Sequence, residues 1–195
     1  MKKWLPLIII AVIAFGIYSW AVGFNNTAVE KQETAKTQWA NVESAYQRRA
    51  DLIPNLVNTV KGYASHEKET LEGVINARAK ATSTTIDPSN VTPEQMAAFQ
   101  QNQSGLSSAL SKLMVVVEKY PDLKANQNFL ELQSQLEGTE NRINVERNRY
   151  NGLVKEYNIL IRKFPAKLLA GMFGFESMTL FEAAEGSEVA PTVEF

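Results

Sequence analysis

An all-α fold is predicted: an N-terminal transmembrane helix followed by an up-down-up antiparallel bundle of three long helices, with a short C-terminal helix. Three observations carry this. No ionisable residue stands between Lys3 and Glu30. Apolar residues beyond Glu30 recur at three-four spacing, the period of one face of a helix. Period-two alternation is absent, and the β-branched residues keep helical spacing, so no strand is expected.

The first element is the anchor. Trp4 to Val22 is apolar apart from Ser19, and Leu5, Ile8, Ile9, Ile10, Val12, Ile13, Phe15 and Ile17 fill its centre. At ~1.5 Å per residue, roughly 20 such residues cross the ~30 Å hydrocarbon layer. The rival is a cleaved signal peptide, whose apolar region is about 7–15 residues long. The longer run here favours an uncleaved anchor, with Trp20 and Phe24 as interfacial aromatics. Residues 4–24 are therefore expected to contact the bilayer. Lys2 and Lys3 favour a cytoplasmic N-terminus and a bundle outside the cytoplasm, by the bias of basic residues to the inner side.

Residues 30–175 form the expected bundle, and 176–195 an acidic, mobile tail. Glu30 to about Ala81 reads as one helix, seamed by Trp39, Val42, Tyr46, Ile53, Leu56, Val60, Tyr63, Val74 and Ala81. Pro54 interrupts it and should kink it, since proline removes one backbone donor. Thr82 to Val91 is turn-rich. Thr92-Pro93-Glu94-Gln95 then combines an N-cap threonine, a proline at the first helical position and a glutamine able to close a capping box. The second helix should run to Pro121, antiparallel to the first. After a single turn, Asn128 is a candidate N-cap for a third helix seamed by Phe129, Leu132, Leu136, Ile143, Tyr150, Val154, Tyr157 and Ile161, parallel to the first. On these lengths Glu30 to about Arg49 is expected to project as an unpaired stalk or to pair with another protomer. The patch from Ala166 to Phe175 is expected to cap the bundle end, because the basic face of a lipid-binding helix is missing beside Lys163 and Lys167.

Composition narrows function. Net charge is −1, which gives no case for nucleic acid. Cysteine is absent and His66 is the single histidine, so thiol catalysis, thiolate sites and His pairs are excluded and no metal or cofactor is expected. No Gly-x-Ser-x-Gly, Walker or dinucleotide pattern occurs, and no enzyme activity is expected. The candidate polar residues lie on or beside the seams. Arg49, Glu67, Glu140 and Arg147 are seam charges, expected to pair as a register-setting layer, with Glu67 opposite Arg147 and Glu140 near Lys61 or a partner on the second helix. Arg48, Asp51, Asn55, Asn141 and Arg142 would make a ligand site if they converged; the simpler reading is hydrogen bonding around the Pro54 interruption.

Several strings are specific: Arg48-Arg49-Ala50-Asp51-Leu52-Ile53-Pro54-Asn55, His66-Glu67, Tyr120-Pro121-Asp122-Leu123, Thr139-Glu140-Asn141-Arg142-Ile143, Arg149-Tyr150-Asn151, Tyr157-Asn158 and Phe173-Gly174-Phe175. Together they resemble the LemA family from the anchor to about Phe175. The resemblance implies a bacterial single-pass membrane protein with a helical coiled domain, an accessory or scaffold of the envelope with no established catalytic residues, sometimes placed near membrane proteases; one relative is linked to magnetosome membranes. A protein partner or self-association is expected. The alternative is a ligand-binding receptor or regulatory subunit of a membrane protease system.

Overall fold

The structure, a computed structural model, describes residues 4–182. It contains six helices: α1 Leu5–Tyr63, α2 Lys68–Thr82, α3 Pro93–Val117, α4 Pro121–Lys124, α5 Gln127–Arg162 and α6 Ala166–Phe173. Among the described residues there is no strand. The all-α expectation holds, as does the helix long and apolar enough to cross a membrane.

The anchor and the first bundle helix are one element. The 59 residues of α1 extend roughly 88 Å at the standard rise. From Leu7 to Val22 its large apolar side chains are exposed, and burial begins at Phe24.

Four corrections concern how the bundle is wired. First, the helix predicted to reach Ala81 ends at Tyr63, and Ala64 to Glu67 reverses the chain. The Ala64 N–H closes on the Val60 carbonyl and the Glu67 N–H on the Ala64 carbonyl, which makes the turn. Val60, Glu67 and Val74 lie seven apart, so the apolar rhythm continues across a bend that it cannot reveal. Second, α2 returns along α1, so α3 climbs parallel to α1 and α5 descends antiparallel to it. The bundle is up-down-up-down, with α5 rather than α3 as the antiparallel partner of α1 along most of its length. Third, Glu30 to Arg49 is no stalk. Ala35, Trp39, Val42 and Ala45 are buried, and the Lys31 Nζ–Glu156 Oε2 distance of 2.8 Å marks α5 alongside. Fourth, residues 176–182 pack against the bundle, with Met178 and Phe181 buried. The remainder of the expected tail, 183–195, lies outside the described residues.

Helix α1 runs through Pro54 without a break. Proline at 54 deprives the Ala50 carbonyl of its i+4 donor. The Arg78 guanidinium, from α2, supplies the missing hydrogen bond, its Nε 2.8 Å from that oxygen. A carbonyl left bare inside a bundle would cost about 1–3 kcal/mol, so α2 repairs what the proline removes.

Start signals fare better than stop signals. Thr92 Oγ1 accepts from the Gln95 N–H at 3.2 Å and Gln95 Oε1 accepts from the Thr92 N–H at 3.0 Å, completing the capping box. The single turn at Pro121 is also present. The α5 cap is Asn126 rather than Asn128: its Oδ1 accepts from the Phe129 N–H at 3.0 Å.

Two cores fill the bundle. Near the membrane, Trp39, Tyr46, Phe99, Tyr150 and Phe181 form an aromatic cluster. Far from it, Leu52, Ile53, Leu56, Val60, Leu71, Val74, Leu106, Leu113 and Leu136 form an aliphatic one.

Candidate functional site

A polar layer separates the two cores and ties all four long bundle helices together. Arg49 projects from α1, and its side chain is 3% exposed. Its Nη1 lies 2.7 Å from Glu140 Oε2 on α5 and 3.0 Å from Ser107 Oγ on α3. Its Nη2 donates to Gln103 Oε1 on α3 at 2.7 Å. Gln103 passes the connection on, donating from Nε2 to the Ala81 carbonyl of α2 at 3.0 Å. Burying a guanidinium is costly unless it is paired and hydrogen-bonded, and here one carboxylate and three neutral acceptors, from Ser107 and Gln103, share it. Among the described residues Arg49 Nε has no hydrogen-bond partner. The guanidinium also lies over the Tyr46 ring, 5.3 Å from its centroid. Burial raises the Tyr46 phenol above its ordinary range, with Arg147 and Arg49 opposing the shift.

Arg147 stands on the outer side of the same layer. It lies over the Phe181 ring at 4.6 Å and donates to Gln100 Oε1 at 3.0 Å. With Arg49 and Glu140 it lines an open cleft of about 700 Å³. Glu67 does not meet Arg147. Its carboxylate accepts from the Tyr120 hydroxyl at 3.1 Å, at the far end of the bundle. The expected Glu67–Arg147 pair is thus replaced by Arg49–Glu140, and Lys61 is no partner of Glu140. The cause is the reversal at Ala64, which inverts α5 relative to the register assumed for one unbroken helix.

The second set of candidate residues does not converge. Arg48, Asp51, Asn55, Asn141 and Arg142 are all exposed. Arg48 and Arg142 line one shallow groove between α1 and α5, beside Gln135 and Thr139. Asp51 instead accepts from Gln47 on its own helix at 2.7 Å, and Arg142 Nε lies 2.9 Å from Glu146 Oε1. The freed carbonyl beside Pro54 is served by Arg78, so Asp51 and Asn55 are not needed there.

Two polar features escaped the sequence reading. One is Gln38–Glu146, buried in the aromatic half, with Gln38 Nε2 2.7 Å from Glu146 Oε2. The Gln38 amide, followed by the nearby Arg142 charge, holds the Glu146 carboxyl below its ordinary range against the opposing effect of burial. The other is a strap, residues 176–182, gripped by two Tyr-Asn dipeptides seven residues apart on α5. Asn158 donates to the Met178 carbonyl at 2.8 Å and accepts from its N–H at 2.9 Å. Asn151 does the same for Phe181, at 2.9 Å both ways. The Tyr157 hydroxyl donates to the Glu176 carbonyl at 3.0 Å and the Tyr150 hydroxyl to the Thr179 carbonyl at 3.1 Å. Each asparagine imitates a strand neighbour, using its amide as donor and acceptor toward one strap residue. Phe181 then stacks on Trp39 at 5.4 Å, closing the aromatic core. The signal available was the repeated Tyr-Asn at heptad spacing.

Among the described residues no three His, Cys, Asp or Glu side chains gather as a metal ion would require. The arrangement does structural chemistry: it fixes register between helices and pins a terminal segment.

Known proteins place these features in a family. The chain is 24% identical over 179 residues to the protein LemA of Metamycoplasma hominis, covering 91% of this chain and 78% of that one. It is 28% identical over 174 residues to magnetosome protein MamQ 2 of Paramagnetospirillum magneticum. Magnetosome protein MamQ of Magnetospirillum gryphiswaldense is 26% identical over 173 residues. In both, 80% of this chain aligns with 64% of the relative, so the chain spans under two thirds of the magnetosome proteins' length. The LemA family model covers residues 38–195, taking in the polar layer, the strap and the acidic end while omitting the anchor, a span shifted toward the C-terminus from the one the quoted motifs suggest. This chain, a membrane-associated helical bundle, belongs to the LemA family.

Proposed function

We propose that this protein is a membrane-anchored scaffold or interaction protein of the bacterial envelope, with no catalytic role of its own. The continuity of α1 carries the reading: 59 residues pass from lipid-exposed side chains to a packed core without a break in the helix. A helix that is half anchor and half core holds a binding surface in a set orientation above a bilayer. The interior polar groups support the same reading, since Arg49, Glu140, Gln103 and Glu146 are spent on one another. In this reading the anchor lies in the bacterial inner membrane, as LemA membership suggests, and Lys2 and Lys3 favour a bundle outside the cytoplasm. The receptor or protease-subunit alternative draws no support from Arg48, Asp51, Asn55, Asn141 and Arg142, which stand apart.

In-cell crosslinking followed by mass spectrometry tests the scaffold. The expected result is crosslinks from exposed lysines of α2 and α3, such as Lys80 and Lys112, to a recurrent second membrane protein. Recovery of this chain alone would replace an adaptor by a self-assembled structural element.

A further inference from the structure

The short helix α6 has two faces of different character. Ala166, Leu169 and Ala170 turn inward and pack on the aromatic core, as expected for a cap. The outward face is apolar too: Leu168 is 64% exposed and Met172 79%, and Phe164 just before the helix is 84% exposed. Gly171 lies between them, and Lys167 is the single charged residue within the helix. A surface helix in water normally turns polar residues outward, so a helix apolar on both faces is covered by something.

Position says what covers it. Phe173, at the end of α6, stacks on Phe24 of α1 at 6.5 Å, and Phe175 meets Phe24 edge-on at 6.1 Å. Val22, the last residue of the lipid-exposed stretch, is two positions earlier on α1, about 3 Å along the axis. The outward face of α6 is therefore continuous with the apolar surface of the anchor. An interfacial helix buries its apolar face about 5–10 Å into the headgroup boundary, a depth that this displacement permits. Exposed Lys163 and Lys167 flank the patch, where their stems can lie along apolar surface and their ammonium groups meet lipid phosphates.

We infer that α6 is a second membrane contact, inserting Phe164, Leu168 and Met172 into the interface of the same bilayer that holds α1. The inference rests on reading residues 4–22 as membrane-spanning. Two attachments at one end of a bundle would fix its tilt and its rotation about α1, which one helix alone leaves free.

The chain contains no cysteine, so single-site labelling needs no background removal. Leu168→Cys, Met172→Cys and Phe164→Cys, each spin-labelled in the full chain, would be reconstituted in phosphatidylcholine vesicles with and without phosphatidylglycerol. Val22→Cys marks the anchor and Ser108→Cys the aqueous surface. The expected result is that labels at 164, 168 and 172 collide with oxygen in preference to an aqueous nickel chelate, as at 22 and unlike 108, and sit deeper when anionic lipid is present. Nickel accessibility equal to that at 108, with 22 still lipid-exposed, overturns the inference alone. Nickel accessibility at 22 as well overturns the anchor reading beneath it. Spin–spin broadening at 168 and 172 that grows with protein-to-lipid ratio overturns lipid as the occupant in favour of a second copy of the chain.

Discussion

The two halves of the bundle are held by different means. The distal half is a core made mostly of aliphatic side chains, with Phe129 as its one fully buried ring, supplied by α1, α2, α3 and α5 with Leu123 of α4. In the half near the membrane α2 is gone and α3 is only beginning, so the antiparallel pair α1 and α5 is covered by large rings and by the strap. Aromatic side chains bury 150–250 Å² each and fill such a gap with few residues. The aliphatic half is closed by the chain's own helices. The aromatic half is closed by a seven-residue non-helical segment held by two asparagines and two tyrosines.

Substitutions can break this contrast, and the largest effects belong to the shared elements. Arg49→Ala empties the space of a side chain only 3% exposed and leaves the buried Gln103 amide oxygen without its donor, and should destabilise both halves by about 3–5 kcal/mol in denaturant unfolding followed by circular dichroism. Trp39→Ala, at a residue 2% exposed and touching Phe99, Tyr150 and Phe181, should cost about 3–5 kcal/mol and loosen the strap. Leu56→Ala in the distal core should cost about 2–5 kcal/mol and leave the strap in place; equal strap release by the two would abolish the distinction. Asn151→Ala removes two hydrogen bonds to Phe181 and should lower local protection there by about 1–3 kcal/mol, read by amide hydrogen exchange, with distal amides unchanged.

Two smaller effects sharpen the comparison. A double-mutant cycle on Arg49 and Glu140 should show coupling of about 1 kcal/mol, modest because the Glu140 side chain is half exposed; a cycle on Glu67 and Arg147 should show none. Acid should loosen the aromatic half first through Glu146. Its folded pKa is depressed, so its contribution is complete above the unfolded carboxylate value and is lost as pH falls through the lower folded value. Glu146→Gln should remove that part of the acid dependence in strap exchange rates.

The sequence made much of this legible, and the failures share a physical cause. The anchor, the α-class, the Thr92 capping box and the turn at Pro121 are local signals, written within a few residues. The reversal at Ala64 was hidden because Val60, Glu67 and Val74 preserve a heptad through a bend. With α1 taken as one unbroken helix, Glu67 falls opposite Arg147 and Glu140 near Lys61; the reversal instead brings Glu140 to Arg49, a seam charge to which the pattern assigns no partner. The strap was hidden for the opposite reason. An extended segment beside acidic residues has no period to detect, and its grip lies in side chains of a distant helix. Asn151 and Asn158 were visible as motif residues, yet their use depends on where residues 178 and 181 come to rest.

The unbroken helix α1 also sets an electrostatic scale. Phe24 to Tyr63 covers about 60 Å at the standard rise, whereas charge is screened over about 8 Å at physiological salt. With α1 along the membrane normal, the turn at Ala64 stands some seven screening lengths from the headgroups. Whatever meets the protein there does so unaffected by the lipid's charge, while Lys163 and Lys167 at the base lie within its reach. If α6 meets the bilayer as inferred above, one rod would present a distal end beyond the reach of membrane charge and a base within it.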